Sequence, residues 1–303
     1  MPGLGVRPSW HDVVVVHRLQ FPLPVNYVCY ALWGCLFAGP ALLRTPAALL
    51  AVAADLLLIV APLALNVAVD MATDSQHADK GYLAGAAGRI GRSRALNWSI
   101  AELAVAFAAV VAIGVGWGRW WPFGIAVVTV AAQLLYNVEP ARLKRRGLAG
   151  SVAFGVASVG LPVLLGYTAV APAVPTTVWL IVAGASLISV GRTVWWALPD
   201  YDADVASRIA TPTVRYGPAR TLVVACGFVV VGLVLLGWGL WARYGAWALL
   251  GLAPHGGFLA LLVAQLPATL RGHPPRAGSQ LRRTLPVATL GEVLIALVPL
   301  LAG

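Results

Sequence analysis

Charged residues are scarce in this chain. Only 11% of its 303 residues are Asp, Glu, Lys or Arg, whereas 60% are hydrophobic. Soluble globular domains contain about 25% charged residues, so this shortage excludes an ordinary soluble domain.

Cysteine is also rare. The three cysteines, Cys29, Cys35 and Cys226, all fall inside apolar stretches. Their number and spacing exclude a disulfide framework and a cysteine-based metal site. We interpret them as small packing residues.

Long apolar stretches dominate what is present. A helix needs about 20 apolar residues to cross roughly 30 Å of hydrocarbon. The sequence predicts nine such helices, at 24–43, 47–70, 95–116, 120–137, 148–170, 175–199, 218–241, 245–267 and 284–302. We therefore expect an all-α integral membrane protein with one polytopic domain over residues 1–303.

Basic residues are distributed unevenly between the predicted loops. Arg44, Arg119 and Arg243 fall on one side, Arg192 falls within a span, and all the other Lys and Arg residues fall on the opposite side. The positive-inside rule places the richer side in the cytoplasm. This predicts a protein of a bacterial-type plasma membrane with a cytoplasmic N-terminus and an outside C-terminus. The net charge of +10 lies in short juxtamembrane segments without a nucleic-acid-binding motif, so anionic lipid rather than nucleic acid is the expected partner.

Acidic residues are fewer still, and they cluster. Five of the eleven Asp and Glu residues lie in two short stretches, one with Asp70 and Asp74 and one with Asp200, Asp202 and Asp204. Residues four apart share a helix face, so we expect two carboxylate pairs facing one cytoplasmic pocket, with Asp202 pointing elsewhere. Oxygen ligands without Cys or His favour Mg²⁺, which bridges carboxylates to substrate phosphates. The pattern therefore predicts a magnesium-diphosphate site rather than acids that merely cap helix ends.

Three motifs resemble those of the UbiA superfamily of intramembrane prenyltransferases. The first is Asn-x-x-x-Asp-x-x-x-Asp, the second lies in the loop after the fourth span, and the third is Asp-x-x-x-Asp followed by Thr and Gly. They fall at Asn66, Asp70 and Asp74; at Tyr136, Pro140, Arg142 and Lys144; and at Asp200, Asp204, Thr211 and Gly217. Val67, Glu139 and Arg208 stand where the family usually has Asp, Pro and Gly. These departures retain the carboxylates of the motifs, but they do not identify the prenyl acceptor.

The resemblance implies a UbiA-like bundle of nine transmembrane helices with a central cavity open to the cytoplasmic side. Two pseudo-repeated four-helix halves, about 24–137 and 148–267, would precede the ninth helix at 284–302. The implied enzyme is a prenyltransferase, in which two Mg²⁺ ions would be held by the catalytic residues Asp70, Asp74, Asp200 and Asp204. Substrate-binding roles are expected for Asn66, Lys80, Tyr136, Arg142, Lys144, Arg192 and Arg208.

The implied chemistry is ionisation of an isoprenyl diphosphate donor. An aromatic or other small lipophilic acceptor would capture the resulting allylic cation. A terpene cyclase of the same fold, in which the donor's own double bonds attack the cation, is the alternative. An ion-coupled transporter is a remote alternative. The acids of transporters usually lie near the membrane midplane, whereas the acids of this chain are expected at the cytoplasmic ends of the helices.

Ionisable residues inside predicted spans need partners, because an unpaired charge in hydrocarbon is costly. We expect Arg192 to meet the diphosphate or a carboxylate. For Asp55, Glu102 and Glu292 we expect structural hydrogen bonds or ion pairs, with Glu102 as a candidate base for the acceptor.

Overall fold

The computed structural model describes residues 8–74, 81–206 and 209–302, and the side chains of residues 72–74 lie outside that description. The described part is helical apart from one isolated backbone bridge. Its α-helices are, in chain order, α1 (Trp10–Val16), α2 (Leu23–Ala38), α3 (Pro46–Asp74), α4 (Gly81–Ile90), α5 (Arg92–Trp117), α6 (Trp121–Asn137), α7 (Leu148–Gly155), α8 (Leu161–Val170), α9 (Thr176–Trp196), α10 (Tyr201–Ala206), α11 (Pro212–Tyr216), α12 (Pro218–Tyr244), α13 (Ala248–Leu270), α14 (Ala277–Ser279) and α15 (Leu285–Ala302).

Short 3-10 or π-helical turns join several of these helices. A π-helical turn, Val156–Gly160, makes α7 and α8 continuous, and another, Gln280–Thr284, joins α14 to α15. The 3-10 turns are Pro40–Arg44, Leu143–Arg145, Leu198–Asp200 and Gly245–Trp247.

Six segments of the described residues are long and apolar enough to cross a membrane. They are Pro46–Met71, Arg92–Trp117, Leu148–Val170, Thr176–Ala206, Pro218–Leu270 and Ala277–Ala302. The fifth is 53 residues long because it contains both α12 and α13, while α2 and α6 are apolar but shorter, with 16 and 17 residues. The expected all-α integral membrane architecture is confirmed, and the count of nine spans stays a prediction.

Helices α9 and α12 pack backbone to backbone. A Cβ atom at Gly184 would lie 2.7 Å from the carbonyl oxygen of Gly232, and one at Gly232 would lie 2.8 Å from the carbonyl oxygen of Gly184. No side chain fits between these backbones, and such small residues are what close helix packing in membranes needs. Because α9 leads into the second acidic motif, this packing holds one wall of the candidate site.

Helix α1 docks on α4 and α5 through two polar contacts. Asp12 accepts a hydrogen bond from Nη2 of Arg89 on α4 at 2.6 Å, and Nε2 of His17 lies 2.9 Å from Oε1 of Glu102 on α5. The hydrogen bonds from Arg89 and from the Ser9 backbone hold the pKa of Asp12 well below its usual range. Glu102, expected to form a structural contact or to act as a base, is therefore engaged by His17.

Candidate active site

A cavity of about 210 Å³, here named the polar cavity, lies where the two acidic motifs meet the loop after α6. Carboxylates and cations line it together. Its acids are Asp70, Asp200 and Asp204, and its cations are Arg18, Arg142, Lys144 and Arg145. The structure thus brings parts of all three sequence motifs to one space.

Asp70 is held by two cations from the loop after α6. Its Oδ1 accepts a hydrogen bond from Nη2 of Arg142 at 2.9 Å, and its Oδ2 accepts one from Nζ of Lys144. All three side chains are largely buried, so this contact is weakly screened by solvent. Both cations, predicted from sequence to bind substrate, therefore neutralise the first motif in this structure.

Asn66 and Tyr136 lie beside Asp70. Nδ2 of Asn66 donates to Oδ1 of Asn137 at 2.6 Å, and its Oδ1 accepts from Nη2 of Arg18 at 3.2 Å. The Tyr136 ring, also in the cavity wall, packs on Phe154 with centroids 5.3 Å apart. Arg18 itself lies in the cavity wall.

A glycine positions the loop that carries Arg142 and Lys144. A Cβ atom at Gly150 on α7 would lie 2.5 Å from the carbonyl oxygen of Leu143 and 2.8 Å from Cα of Lys144. The loop backbone can approach α7 only because this residue has no side chain. An isolated parallel bridge between Arg146 and Ala210 ties the same loop to the segment after α10.

The second acidic motif lies just beyond the predicted span 175–199, and it does not form one continuous α-helix with α9. Helix α9 ends at Trp196, Asp200 ends a 3-10 turn, and Asp204 belongs to the separate helix α10. Pro199 explains the break, because proline lacks the N–H of a helical hydrogen bond and its ring clashes with the preceding turn.

Both acids nevertheless line the polar cavity. Asp204 is buried and its Oδ2 accepts a hydrogen bond from Oγ1 of Thr211 at 2.9 Å. Asp202 is exposed and is not among the lining residues, as predicted.

The donor atoms of the polar cavity fit magnesium if a substrate phosphate supplies some of the ligands. The described protein side chains alone do not form a complete coordination shell. Within the ranges that the structure describes, no three His, Cys, Asp or Glu side chains lie close enough together to hold one metal ion. Yet Asp70, Asp200 and Asp204 offer only oxygen donors around one cavity. Mg²⁺ is typically bound by one or two carboxylates together with substrate phosphates, so a diphosphate between the motifs would complete its coordination.

Backbone strain also marks this cavity. Among the described residues, Arg18 (φ 51°) and Arg142 (φ 33°) are the non-glycine residues with positive φ. Both line the polar cavity. Strained backbone of this kind clusters at functional sites, so the strain supports a binding role for the cavity.

A second cavity of about 220 Å³, here named the inner chamber, adjoins the first. The two share Arg18, Asn66, Tyr136, Thr193 and Trp196 in their walls. Ile59, Pro62 and Leu63 of α3 and Phe154 of α7 supply much of its apolar surface. The polar cavity therefore continues into a chamber within the helix bundle.

Arg192 lines the inner chamber and not the polar cavity. Its Nη1 donates to Oε1 of Glu292 at 2.9 Å and its Nη2 donates to the hydroxyl of Tyr30. Of the two partners expected from the sequence, the carboxylate is the one observed.

Asp55 is different, because it is fully buried and neither carboxylate oxygen has a hydrogen-bond partner among the described residues. Its expected structural contact is therefore not found there.

Three predicted site positions fall outside the described part of the chain. They are the side chain of Asp74 at the end of α3, Lys80 and Arg208. Their roles stay predictions.

Sequence reasoning missed Asn26 and Gln133, two buried amides in the inner chamber. Their only sequence signal was a polar side chain within an apolar span, which is costly without a partner and so marks a candidate functional site.

Known proteins resemble this chain in fold and in sequence. A UbiA homologue from Archaeoglobus fulgidus bound to GPP and Mg²⁺ matches with a TM-score of 0.71 at 16% identity, covering 96% of this chain and 99% of that chain. The apo structure of a UbiA homologue from Aeropyrum pernix K1 matches with a TM-score of 0.72 at 18% identity, covering 93% and 98%. At these identities the likeness shows the fold.

Sequence comparison reaches further. The bacteriochlorophyll synthase 33 kDa chain of Cereibacter sphaeroides is 32% identical over 162 residues, which are 52% of this chain and 51% of that protein. The chain therefore spans about half the length of the curated relative that it matches. The model of the UbiA prenyltransferase family matches residues 27–276. Because that match extends over most of the chain, the protein belongs to the UbiA prenyltransferase family.

Proposed function

We propose that this protein is a magnesium-dependent intramembrane prenyltransferase. It ionises an isoprenyl diphosphate and transfers the prenyl group to an aromatic or other small lipophilic acceptor. The observation that carries the proposal is the polar cavity, where carboxylates of both acidic motifs and four cations line one space that continues into an apolar chamber.

The carboxylates suit a metal-diphosphate complex. Two Mg²⁺ ions would be held by Asp70, Asp74, Asp200 and Asp204, with Asn66 beside them. Bound magnesium neutralises charge on a diphosphate and stabilises it as a leaving group. Thr211 orients Asp204 through its hydrogen bond, and ligands supported in this way bind metals more tightly.

The cations of the cavity act on the leaving group directly. Arg142 and Lys144 hold Asp70 in this structure, and both line the polar cavity, where they would donate hydrogen bonds to diphosphate oxygens. Arg18 and Arg145 add positive charge to the same walls. Fixed positive charge aimed at a departing anion lowers the barrier to ionisation.

The junction of the two cavities is a suitable position for C1, the reacting carbon of the prenyl group. Tyr136 and Trp196 line both cavities, so a prenyl group whose diphosphate lies in the polar cavity passes between them. Aromatic faces attract cations, which favours an allylic cation at this point. The C1–O bond breaks and its electron pair leaves with the diphosphate. An electron pair of the acceptor then bonds to C1, and the proton that the acceptor loses passes to the diphosphate.

We further infer that nine helices span the membrane and that the polar cavity opens to the cytoplasm of a bacterial-type plasma membrane. The uneven distribution of Lys and Arg supports this orientation. Arg142, Lys144 and Arg145 all fall on the richer side, so an isoprenyl diphosphate would enter with its charged end at the inner leaflet.

Diphosphate release from geranyl diphosphate tests the function. In purified protein with Mg²⁺ and a mixture of aromatic acceptors, Asp70→Asn and Asp204→Asn should each lower release at least about 100-fold, because one metal-binding carboxylate is lost. Asp202→Asn is the matched control, since Asp202 lies on the same short helix as Asp204 but is exposed. Removal of Mg²⁺ by EDTA should abolish release. Undiminished release in either variant or after chelation would overturn the proposal.

A further inference from the structure

The walls of the inner chamber contain two amides for which the protein itself supplies no partner. Asn26 on α2 is 2% exposed, and its Oδ1 is buried without a hydrogen bond. Gln133 on α6 is 5% exposed, and the hydrogen bond observed for it among the described residues is the one that its backbone carbonyl accepts from Asn137. Both side chains line the chamber.

Several other polar groups in the same walls already have partners. The hydroxyl of Tyr30 donates to Glu292 at 2.9 Å, and Arg192 pairs with the same carboxylate. The amide of Asn137 accepts a hydrogen bond from Asn66. The hydrogen bonds of these groups are therefore already committed, whereas the side-chain amides of Asn26 and Gln133 are available to a ligand.

A buried amide without a hydrogen-bond partner is destabilising. Natural proteins retain such groups where a ligand completes the hydrogen bonds. The prenyl chain of the donor cannot do this, because a hydrocarbon has neither a donor nor an acceptor group. The amides therefore point to the second substrate.

We propose that Asn26 and Gln133 bind the prenyl acceptor in the inner chamber, and that this acceptor is a neutral molecule with a phenol-type hydroxyl. The inference rests on the proposed function and names its acceptor class. A hydroxyl both donates and accepts a hydrogen bond, which matches two amides that each offer both groups. The ring around the hydroxyl matches the apolar wall formed by Ile59, Leu63 and Phe154.

The charges of the chamber favour a neutral acceptor over a carboxylate. Arg192 is compensated by Glu292 at 2.9 Å, so it offers little net positive charge to a ligand. Arg18 also lines the polar cavity, where a diphosphate would compete for it. A carboxylate also has no hydrogen to donate to the orphaned Oδ1 of Asn26.

Binding of three naphthalene probes to the full chain in detergent tests the assignment without donor or metal. The probes are 1-naphthol, 1-methoxynaphthalene and 1-naphthoate. The wild type should bind 1-naphthol about tenfold more tightly than either of the others, the ratio that one neutral hydrogen bond supplies. Asn26→Leu and Gln133→Met should each weaken 1-naphthol binding about tenfold and leave methoxynaphthalene binding unchanged. Asn97→Leu is the matched control, because Asn97 is exposed on α5 and lies outside the chamber wall.

Thermal unfolding separates binding from a structural role. If Asn26 binds a ligand, Asn26→Leu should be at least as stable as the wild type, because the variant no longer buries an unpaired amide. Equal binding of the three probes, unchanged 1-naphthol binding in the variants, or loss of stability in Asn26→Leu would each overturn the inference. Failure of the proposed function would appear instead in the diphosphate-release experiment, which uses other residues.

Discussion

Arg192 and Glu292 form an ion pair between α9 and α15, with Nη1 of the arginine 2.9 Å from Oε1 of the glutamate. Both side chains are largely buried, and the Tyr30 hydroxyl on α2 bonds to each of them. Nε2 of His255 on α13 lies 3.9 Å from the same carboxylate oxygen. This cluster therefore joins four helices at the wall of the inner chamber.

Breaking this pair from one side should destabilise the protein strongly. Glu292→Leu leaves Arg192 charged and buried without its carboxylate, and such changes typically cost about 3–5 kcal/mol. The double variant Arg192→Met with Glu292→Leu should be more stable than the sum of the two single changes predicts. Thermal unfolding in detergent of the wild type, both single variants and the double variant measures the coupling. Strict additivity would mean that the pair contributes no coupling energy.

A methyl group at Gly150 should impair the site although no charged side chain is replaced. Gly150→Ala places Cβ against the backbone of Leu143 and Lys144, so the loop must shift and carry the Lys144 ammonium away from Asp70. A shift of about 1 Å in a positioned group can lower turnover about 100-fold. Gly227→Ala on α12 is the control, because a Cβ there meets nothing within 4 Å. Equal diphosphate release by the two variants would contradict the positioning role of Gly150.

Motif spacing and apolar patterning predicted much of this protein. The apolar runs indicated an all-α membrane protein, and the i, i+4 spacing of Asn66 and Asp70 placed both residues in one cavity wall. These signals are local, since helix periodicity and span length depend on neighbouring residues.

The same sequence patterns could not predict long-range contacts. Arg192 and Glu292 are 100 positions apart, and no periodicity relates α9 to α15. Asp55 was expected to have a partner and has none among the described residues. Pro199 was a local sequence signal for the end of α9 at Trp196, but the predicted span followed the apolar run and extended to residue 199. Pairings of this kind depend on how helices pack, which sequence spacing does not encode.

Removing the Thr211 hydroxyl should weaken metal binding by the second acidic motif. Oγ1 of Thr211 donates to Oδ2 of Asp204 at 2.9 Å, so Thr211→Val leaves the carboxylate without this bond at nearly unchanged volume. Loss of such a supporting bond typically lowers metal affinity or activity about 10- to 100-fold. The Mg²⁺ concentration for half-maximal diphosphate release should therefore rise in Thr211→Val. Thr211→Ser keeps the hydroxyl and should restore the wild-type Mg²⁺ requirement; a serine variant as impaired as the valine variant would contradict this role.

Docking of α1 should depend on pH through His17. Burial lowers the pKa of His17, but the hydrogen bonds to Glu102 and to the Val13 carbonyl outweigh it, so the pKa is raised above its ordinary value. A raised pKa means that the stabilisation is fully present below about pH 6.5 and is lost as the pH rises through the folded-state value.

Thermal unfolding between pH 6 and pH 9 measures this dependence. The unfolding temperature of His17→Gln should lie below that of the wild type at pH 6, by on the order of 2 °C, and the difference should shrink towards pH 9. Asp12→Asn is the control on the same helix. The pKa of Asp12 is lowered, chiefly by the hydrogen bond from Arg89, so its contribution is lost only as the pH falls below the ordinary range of a carboxyl group. The Asp12→Asn difference should therefore stay constant from pH 6 to pH 9. A His17→Gln difference that is equally constant would show that the contact with Glu102 does not depend on protonation of the imidazole.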